Sequence, residues 1–264
     1  MSPQRRQVLS LVLALAAAAA APVAHAQAAL DNVMAKKSIA IAIPTDYPPY
    51  GFVGTDMAPQ GLDVDMARLI AAKLGVAVEL VPVISANRVA YLQTHKADLV
   101  ISTLGKTAER EKVIDFASAY SPYYQAVFAP KTLVIKTPAD LAGKTIATTR
   151  GALEDTELTR IAPPAADIKR FEDNNATVAA YVSGQVQVIA TGASVAGNIM
   201  ARNPQLGTEY KLLLKESPNY VGVAKGEDKL RLKVNEIIAA AKASGELDKL
   251  SQKWLGRSAG DLPN

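Results

Sequence analysis

The stretch "STLGKTAERE", Ser102 to Glu111, follows the apolar run "ADLVI" and sets two hydroxyls and a glycine ahead of Arg110. Hydroxyls, backbone N–H groups freed by Gly105 and a guanidinium are together the equipment for holding a carboxylate. A guanidinium matches a carboxylate with two parallel charge-assisted bonds, which a lysine cannot reproduce. Ser102, Thr103, Gly105 and Arg110 are therefore one candidate constellation, with a surface ion pair of Arg110 to Glu109 or Glu111 as the plain alternative. A second guanidinium, Arg88, stands close to Ser85 in "SANR"; it either faces the same cleft or starts a helix and pairs outward. In "TTRGAL" the turn at Gly151 and Ala152 precedes a helical pattern, and N–H groups at a helix N-terminus suit an anion. Tyr47, at the end of a strand pattern, is a pocket wall or a core residue.

Other chemistries are excluded by composition. The chain of 264 residues has no cysteine, which removes disulfides, thiolate metal sites and a thiol nucleophile together. Its two histidines are His25 and His95, and "LQTHKAD" reads as the exposed end of a helix, where the dipole favours a cation. No cofactor and no metal is expected.

The opening "MSPQRRQVLSLVLALAAAAAAPVAHAQ" has two arginines, an apolar run of about 14 residues and small residues at 24–26. It reads as an export signal over residues 1–26, cleaved near Ala26, with a membrane anchor disfavoured because a spanning helix needs ~20 apolar residues. The expected location is the periplasm. Without Arg5 and Arg6 the 29 basic residues become 27 against 25 acidic ones, a charge of +2. That balance gives no nucleic-acid footprint.

The elements that must position these residues follow from periodicity. "SIAIAIP" alternates Ile39, Ile41 and Ile43 as a strand does, and Leu62, Met66, Leu69, Ile70 and Leu74 share one helical face. Asp63 is the candidate N-cap of that helix and Gly75 its left-handed C-terminal residue. Strand, helix, strand, helix, strand through residue 103 implies parallel pairing with helical crossovers. Ligands in such sheets lie beyond the carboxyl ends of the strands, where Tyr47 and Ser102 fall. A second unit begins near residue 132, "YKLLLKESPNYVGVAKG" leads back, and a helical tail follows. The fold class is α/β in two lobes, the second inserted into the first. The expected divisions are 27–128 for lobe one, 129–216 for lobe two, and 217–264 for the return to lobe one.

The order of "TDYPPYGF" (45–52), "GLDVDMARLIAAKLGV" (61–76), "NRVAYLQTHKADLVIST" (87–103), "KTAEREKVIDFASAY" (106–120), "LAGKTIATTRG" (141–151) and "SGELDKLSQKWLG" (244–256) resembles the polar amino-acid solute-binding proteins of ABC importers. The resemblance spans nearly the whole chain after the leader. It implies a type II periplasmic-binding-protein-like fold, a monomer that closes on a small-molecule ligand and then docks on a membrane permease. It also implies roles: Arg110 on the ligand's α-carboxylate, Tyr47 as a stacking wall, and Ser102 and Thr103 as sources of carbonyls and hydroxyls. Gly105 would donate through its N–H, and Arg88 with Ser85 would meet a side-chain carboxylate, as in relatives that take acidic amino acids.

Two departures bear on specificity. Relatives carry a hydroxyl after the glycine of the "RG" turn, where this chain has Ala152. They also end a strand with an aspartate for the ligand's ammonium, where "VQVIATG" has Gln187 and Gly192 in places where acids are common. Either Glu154, Asp173 or another acid compensates, or the ligand lacks an α-amino group; Glu154 and Asp155 themselves read as an exposed helix start. The expected function is capture of a polar or acidic amino acid for import, without catalysis. The alternatives are an enzyme on the same scaffold, such as a cyclohexadienyl (prephenate or arogenate) dehydratase, a binder of an amine-free carboxylate, and a module that presents its ligand to a signalling partner.

Overall fold

The computed structural model describes residues 28–263, so the leader and its cleavage point near Ala26 lie outside the described residues. Lobe one opens with helix α1 (Ala29–Lys36) and strand β1 (Ser38–Ile43). A small antiparallel sheet follows, made of β2 (Asp46–Tyr47), β3 (Gly51–Val53) and β4 (Pro59–Gln60). Then come helix α2 (Leu62–Leu74), strand β5 (Ala77–Pro82), helix α3 (Arg88–Gln93) and strand β6 (Leu99–Leu104). The one-turn helix α4 (Ala108–Glu111) leads to strand β7 (Ile114–Ser121).

Lobe two contains β8 (Tyr124–Pro130), β9 (Thr145–Thr149), helix α5 (Leu153–Ile161), β10 (Asp167–Phe171) and helix α6 (Asn174–Val182). It ends with β11 (Val188–Gly192), helix α7 (Ala193–Arg202) and β12 (Thr208–Glu216). The chain returns through β13 (Asn219–Ala224) to helices α8 (Asp228–Ala243) and α9 (Glu246–Leu255) on lobe one.

Each lobe is built on a five-stranded mixed sheet, ordered β5-β1-β6-β13-β7 and β10-β9-β11-β8-β12. β1 runs parallel to β5 and β6, and β9 parallel to β10 and β11. The strands next to the crossings pair antiparallel: β13 with β6 and β7, and β8 with β11 and β12. The chain therefore leaves the first sheet at Ser121 and enters the second at Tyr124, so the passage lies at Pro122–Tyr123 rather than at 128–129. "IDFASAYSPYYQAVFAP" is apolar almost throughout, so only the proline marks the change of sheet. The return lies at Ser217–Pro218.

Ile39, Ile41 and Ile43 are buried on one face of β1 and Ala42 on the other, as a strand covered by helices on both sides requires. Val64, Met66 and Ile70 bring α2 onto that sheet. Each fully buried aliphatic side chain of this size stabilises the lobe by about 1.5–3 kcal/mol. Gly61, not Asp63, is the N-cap of α2; Asp63 lies inside its first turn and is wholly buried. Gly75 closes the helix in the left-handed region as the sequence implies. Helix α9 docks on α2 and on the small β2–β4 sheet: the Trp254 indole donates to Asp65 of α2 at 2.8 Å, and its ring meets Phe52 of β3 edge-on at 6.0 Å. That docking fixes the strand end carrying Tyr47. Among the described residues no helix is long and apolar enough to cross a membrane, and no group of three or more His, Cys, Asp or Glu could hold a metal ion.

Candidate functional site

The carboxyl ends of β1 and β6 face the N-termini of α5 and α6 across the junction of the lobes. Arg88, at the start of α3, is 3% exposed and lies at the centre of this junction. Its Nε donates to the Ser85 carbonyl at 3.0 Å, and its Nη1 to the Ser102 and Thr103 carbonyls at 2.7 and 3.2 Å. Nη2 reaches across to the Gly151 carbonyl of lobe two at 3.2 Å. Arg88 thus neither pairs outward nor stands free for a second ligand carboxylate; backbone oxygens take four of its five N–H groups. Ser85, Ser102 and Thr103 enter the site through those carbonyls.

Thr103 has φ 45°, a left-handed conformation that costs a β-branched residue about 1–3 kcal/mol. It is held there from both ends. Its N–H donates to Asp63 at 2.9 Å while its carbonyl accepts from Arg88. Asp63 also accepts from the Tyr120 hydroxyl at 2.8 Å. Burial pushes the Asp63 carboxyl up to about 7, against the opposing pull of Tyr120, the Thr103 N–H and Arg88. The chain Tyr120–Asp63–Thr103–Arg88 is a buried network of the kind that fixes one geometry when every member is paired.

Arg110 sits in α4, whose N-cap Thr107 accepts its backbone N–H at 3.2 Å. Its side chain turns inward: Nη1 donates to the Gly105 carbonyl at 2.7 Å and Nη2 to the Gly151 carbonyl at 3.1 Å. Glu111 pairs instead with Lys106 at 3.0 Å. Burial first, and then the Arg88 guanidinium, lower Arg110 to about 9, which leaves it charged at neutral pH. Gly105 presents its carbonyl, where its N–H was expected.

On lobe two, Gly151 combines φ 72° with a close approach: a Cβ there would lie 2.8 Å from the Cα of Ala86 on lobe one. Only glycine allows the two lobes to meet at this point. Ala152 is buried at the N-cap position of α5 and offers no side-chain donor. Two positions on, Glu154 is 4% exposed, contrary to the exposed helix start expected of it. The first turn of α5 is folded into the cleft by its neighbour Leu153, itself buried, and this carries Glu154 inward. Burial raises the Glu154 carboxyl to about 7, while its own backbone N–H, Arg88 and Arg110 pull it down. Among the described residues no cation lies within 4 Å of it, whereas Asp155 pairs with Arg170 at 2.8 Å.

Tyr47 is 4% exposed and its hydroxyl meets that of Tyr123, in the first crossing. It also accepts the Gly192 N–H at 3.2 Å. Burial raises both phenols well above their ordinary range, so they remain neutral donors. The missing acid at the end of β11 now has a steric cause. A Cβ on Gly192 would fall 1.5 Å from the Tyr123 hydroxyl, so the phenol fills the place of a side chain. Gln187 is exposed at the opposite end of that strand and accepts from the Thr145 N–H at 3.3 Å. Asp173 is occupied as the N-cap of α6.

The structure thus brings Tyr47, Ser85, Arg88, Thr103 and Ala152 together with Tyr123, Glu154 and Asn174 around an enclosed space of about 10 Å³, room for about one water. Arg110 and Gly151 join through the shared carbonyl, and Ser102 and Gly105 lie behind them. Sequence reasoning missed Tyr123 and Asn174. The glycine at a strand end was the available signal for Tyr123, since such a glycine often marks a close approach. A larger hollow of about 320 Å³ lies between α6 and α7, lined by Val178, Val182, Val195 and Ile199. It holds none of the buried charges, so the chemistry belongs to the smaller space.

Residues 39–257 match the bacterial extracellular solute-binding proteins, family 3, and the chain belongs to that family. The L-cystine-binding protein TcyJ of Escherichia coli K12 is 27% identical over 256 residues, 95% of this chain and 96% of that protein. An ancestral arginine-binding protein bound to arginine superposes with a TM-score of 0.79 at 30% identity, covering 83% of this chain and 99% of that one. The ancestral amino acid-binding protein AncCDT-1, a precursor of cyclohexadienyl dehydratase, gives a TM-score of 0.78 at 29% identity over 85% and 98%. The architecture is the two-lobed type II periplasmic-binding-protein-like fold that the motifs imply.

Proposed function

We propose that this protein is the solute-capturing component of an ABC importer, closing its lobes over a small amino acid through Arg110 and handing it to a membrane permease. The observation that carries this reading is Arg110 itself, half-buried between the lobes, its side chain hydrogen-bonded only to two carbonyls, with three N–H groups left for a carboxylate. The family and the amino-acid-binding relatives support the same solute class. Binding then biases an open–closed equilibrium by its differential affinity for the closed state. Calorimetry against amino acids, paired with small-angle scattering, tests the proposal: a solute that binds should also compact the protein. Saturation without compaction refutes the closure.

A second reading rests on Glu154, a buried carboxyl raised to about 7 in the cleft of a chain similar to a dehydratase precursor. Such a group has the pKa of a general acid near neutrality. Against catalysis, the phenols beside it stay neutral, and Arg88 and Asp63 are engaged with the backbone. Phenylpyruvate appearing from prephenate would favour the enzyme; none is expected.

A further inference from the structure

Three charged side chains, Arg88, Asp63 and Glu154, lie buried at the junction, with Arg110 half-buried beside them. Taken as ions the four sum to zero. Their partners divide them further. Arg88 faces Asp63 through Thr103, the carboxylate accepting the Thr103 N–H while the guanidinium donates to the Thr103 carbonyl. These two balance within lobe one, and backbone and phenol groups take most of their hydrogen-bonding capacity. Arg110 keeps free donors, and Glu154 keeps free acceptors with no cation in contact. A buried carboxylate whose donor is its own backbone N–H, with no cation in contact, costs several kcal/mol unless something pairs with it. One unpartnered cation and one unpartnered anion, on opposite lobes, remain for the ligand.

On the reading of this cleft as an amino-acid site, we infer that Glu154 binds the ligand's ammonium in place of the acid that Gly192 cannot carry, and that the ligand is a small zwitterion without net charge. An acidic ligand would bring a second carboxylate to Arg88, whose donors are already committed to the Ser85, Ser102, Thr103 and Gly151 carbonyls. A cationic ligand would need a second free acid, and Asp63 is shut behind Thr103 with its oxygens taken by the Thr103 N–H and Tyr120. An amine-free carboxylate would leave Glu154 unpaired. Small size follows from the approach of Gly151 to Ala86 and from the Tyr123 hydroxyl at the end of β11, which bring the walls together.

The groups facing Glu154 are Arg88 on α3, Arg110 on α4, Asp155 beside it on α5, and the neutral phenols Tyr47 and Tyr123. An ammonium arriving among them lowers the Glu154 pKa, so binding near pH 7 should release protons. The experiment is calorimetry of the full chain at pH 7 in buffers of different ionisation heat. The probes are alanine, serine, cysteine, glutamate, arginine and propionate, tested on the native protein and on Glu154→Gln with circular dichroism as the check on folding. A small neutral amino acid should bind at least ~30-fold more tightly than glutamate, arginine or propionate, releasing a fraction of a proton. Glu154→Gln should weaken it at least ~10-fold and abolish the release. Glutamate or arginine as the tightest ligand, or proton release unchanged in Glu154→Gln, overturns the inference while leaving a solute-binding site in place. Binding of propionate as tight as that of alanine also overturns it, since Glu154 would then have no cation to meet. No binding by any probe overturns the amino-acid reading itself, and the inference with it.

Discussion

The carboxylate of Asp46, on lobe one, accepts the backbone N–H of Asn174 at 2.7 Å and its side-chain amide at 3.1 Å, so it seals the N-terminus of a lobe-two helix. This contact exists only while the lobes are together, and it lies beside the charged cluster rather than within it. Removing a cap of this kind costs about 0.5–2 kcal/mol. Asp46→Ala should therefore shift the unliganded protein toward the open form and weaken solute binding by roughly 2- to 30-fold. Scattering and calorimetry on the variant check both effects, and an unchanged radius of gyration with unchanged affinity excludes a latch.

Arg110→Ala removes the cation with free donors. Losing one partner of a buried, hydrogen-bonded charge pair costs about 2–5 kcal/mol, so solute affinity should fall by roughly 30- to 5,000-fold. Titration calorimetry at raised protein concentration measures the loss. Retained affinity would place the carboxylate elsewhere.

Arg88 plays a different part, and its variants should show it. Arg88→Lys keeps the charge but cannot reach the Ser85, Ser102, Thr103 and Gly151 carbonyls with one ammonium. Each carbonyl left unpaired costs about 1–3 kcal/mol. The urea midpoint should drop by an amount equivalent to at least ~2 kcal/mol, even without ligand. Equal stability of variant and native protein contradicts the scaffold role.

Gly192→Ala should block closure, because its Cβ would meet the Tyr123 hydroxyl at 1.5 Å. The same change in a Tyr123→Ala background removes the clash. A double-mutant cycle on the scattering-derived closure should therefore show strong coupling between these two sites. Additive effects would mean the phenol is not the obstacle.

Stability should depend on pH through two groups. Asp63 and Glu154 have folded pKa values raised to about 7 from ordinary values near 4, so the folded state holds more protons in that window. Their favourable contribution is full below about 4 and is lost as pH rises through about 7. The thermal midpoint should fall between pH 5 and 8, by about 2–4 °C per kcal/mol lost. Glu154→Gln should reduce that slope and Glu154→Asp should largely keep it. An identical profile in Glu154→Gln would exclude this carboxyl as a source.

Much of the scaffold was legible because it is written in local patterns. The alternation of Ile39, Ile41 and Ile43, the face of α2 and the left-handed Gly75 each follow from neighbours in sequence. The cluster around Arg110 was legible from residue type. Glu154 and Asp63 were not: both read as polar starts of helices, and only the opposing lobe or sheet buries them. Tyr123 was hidden for the same reason, since its partners Tyr47 and Gly192 lie far away in the chain. The role of Arg88 was misplaced because carbonyl acceptors leave no trace in a sequence. The first crossing was blurred because β7 and β8 form one apolar run, with Pro122 alone between them.

Tyr123 fills the end of β11 from the crossing between the two sheets, so a side chain that shapes the pocket also sits on the connection between the lobes. A descendant or a designer wishing to install an aspartate at position 192 must also move the Tyr123 ring out of that place, and so disturb the link between the two sheets.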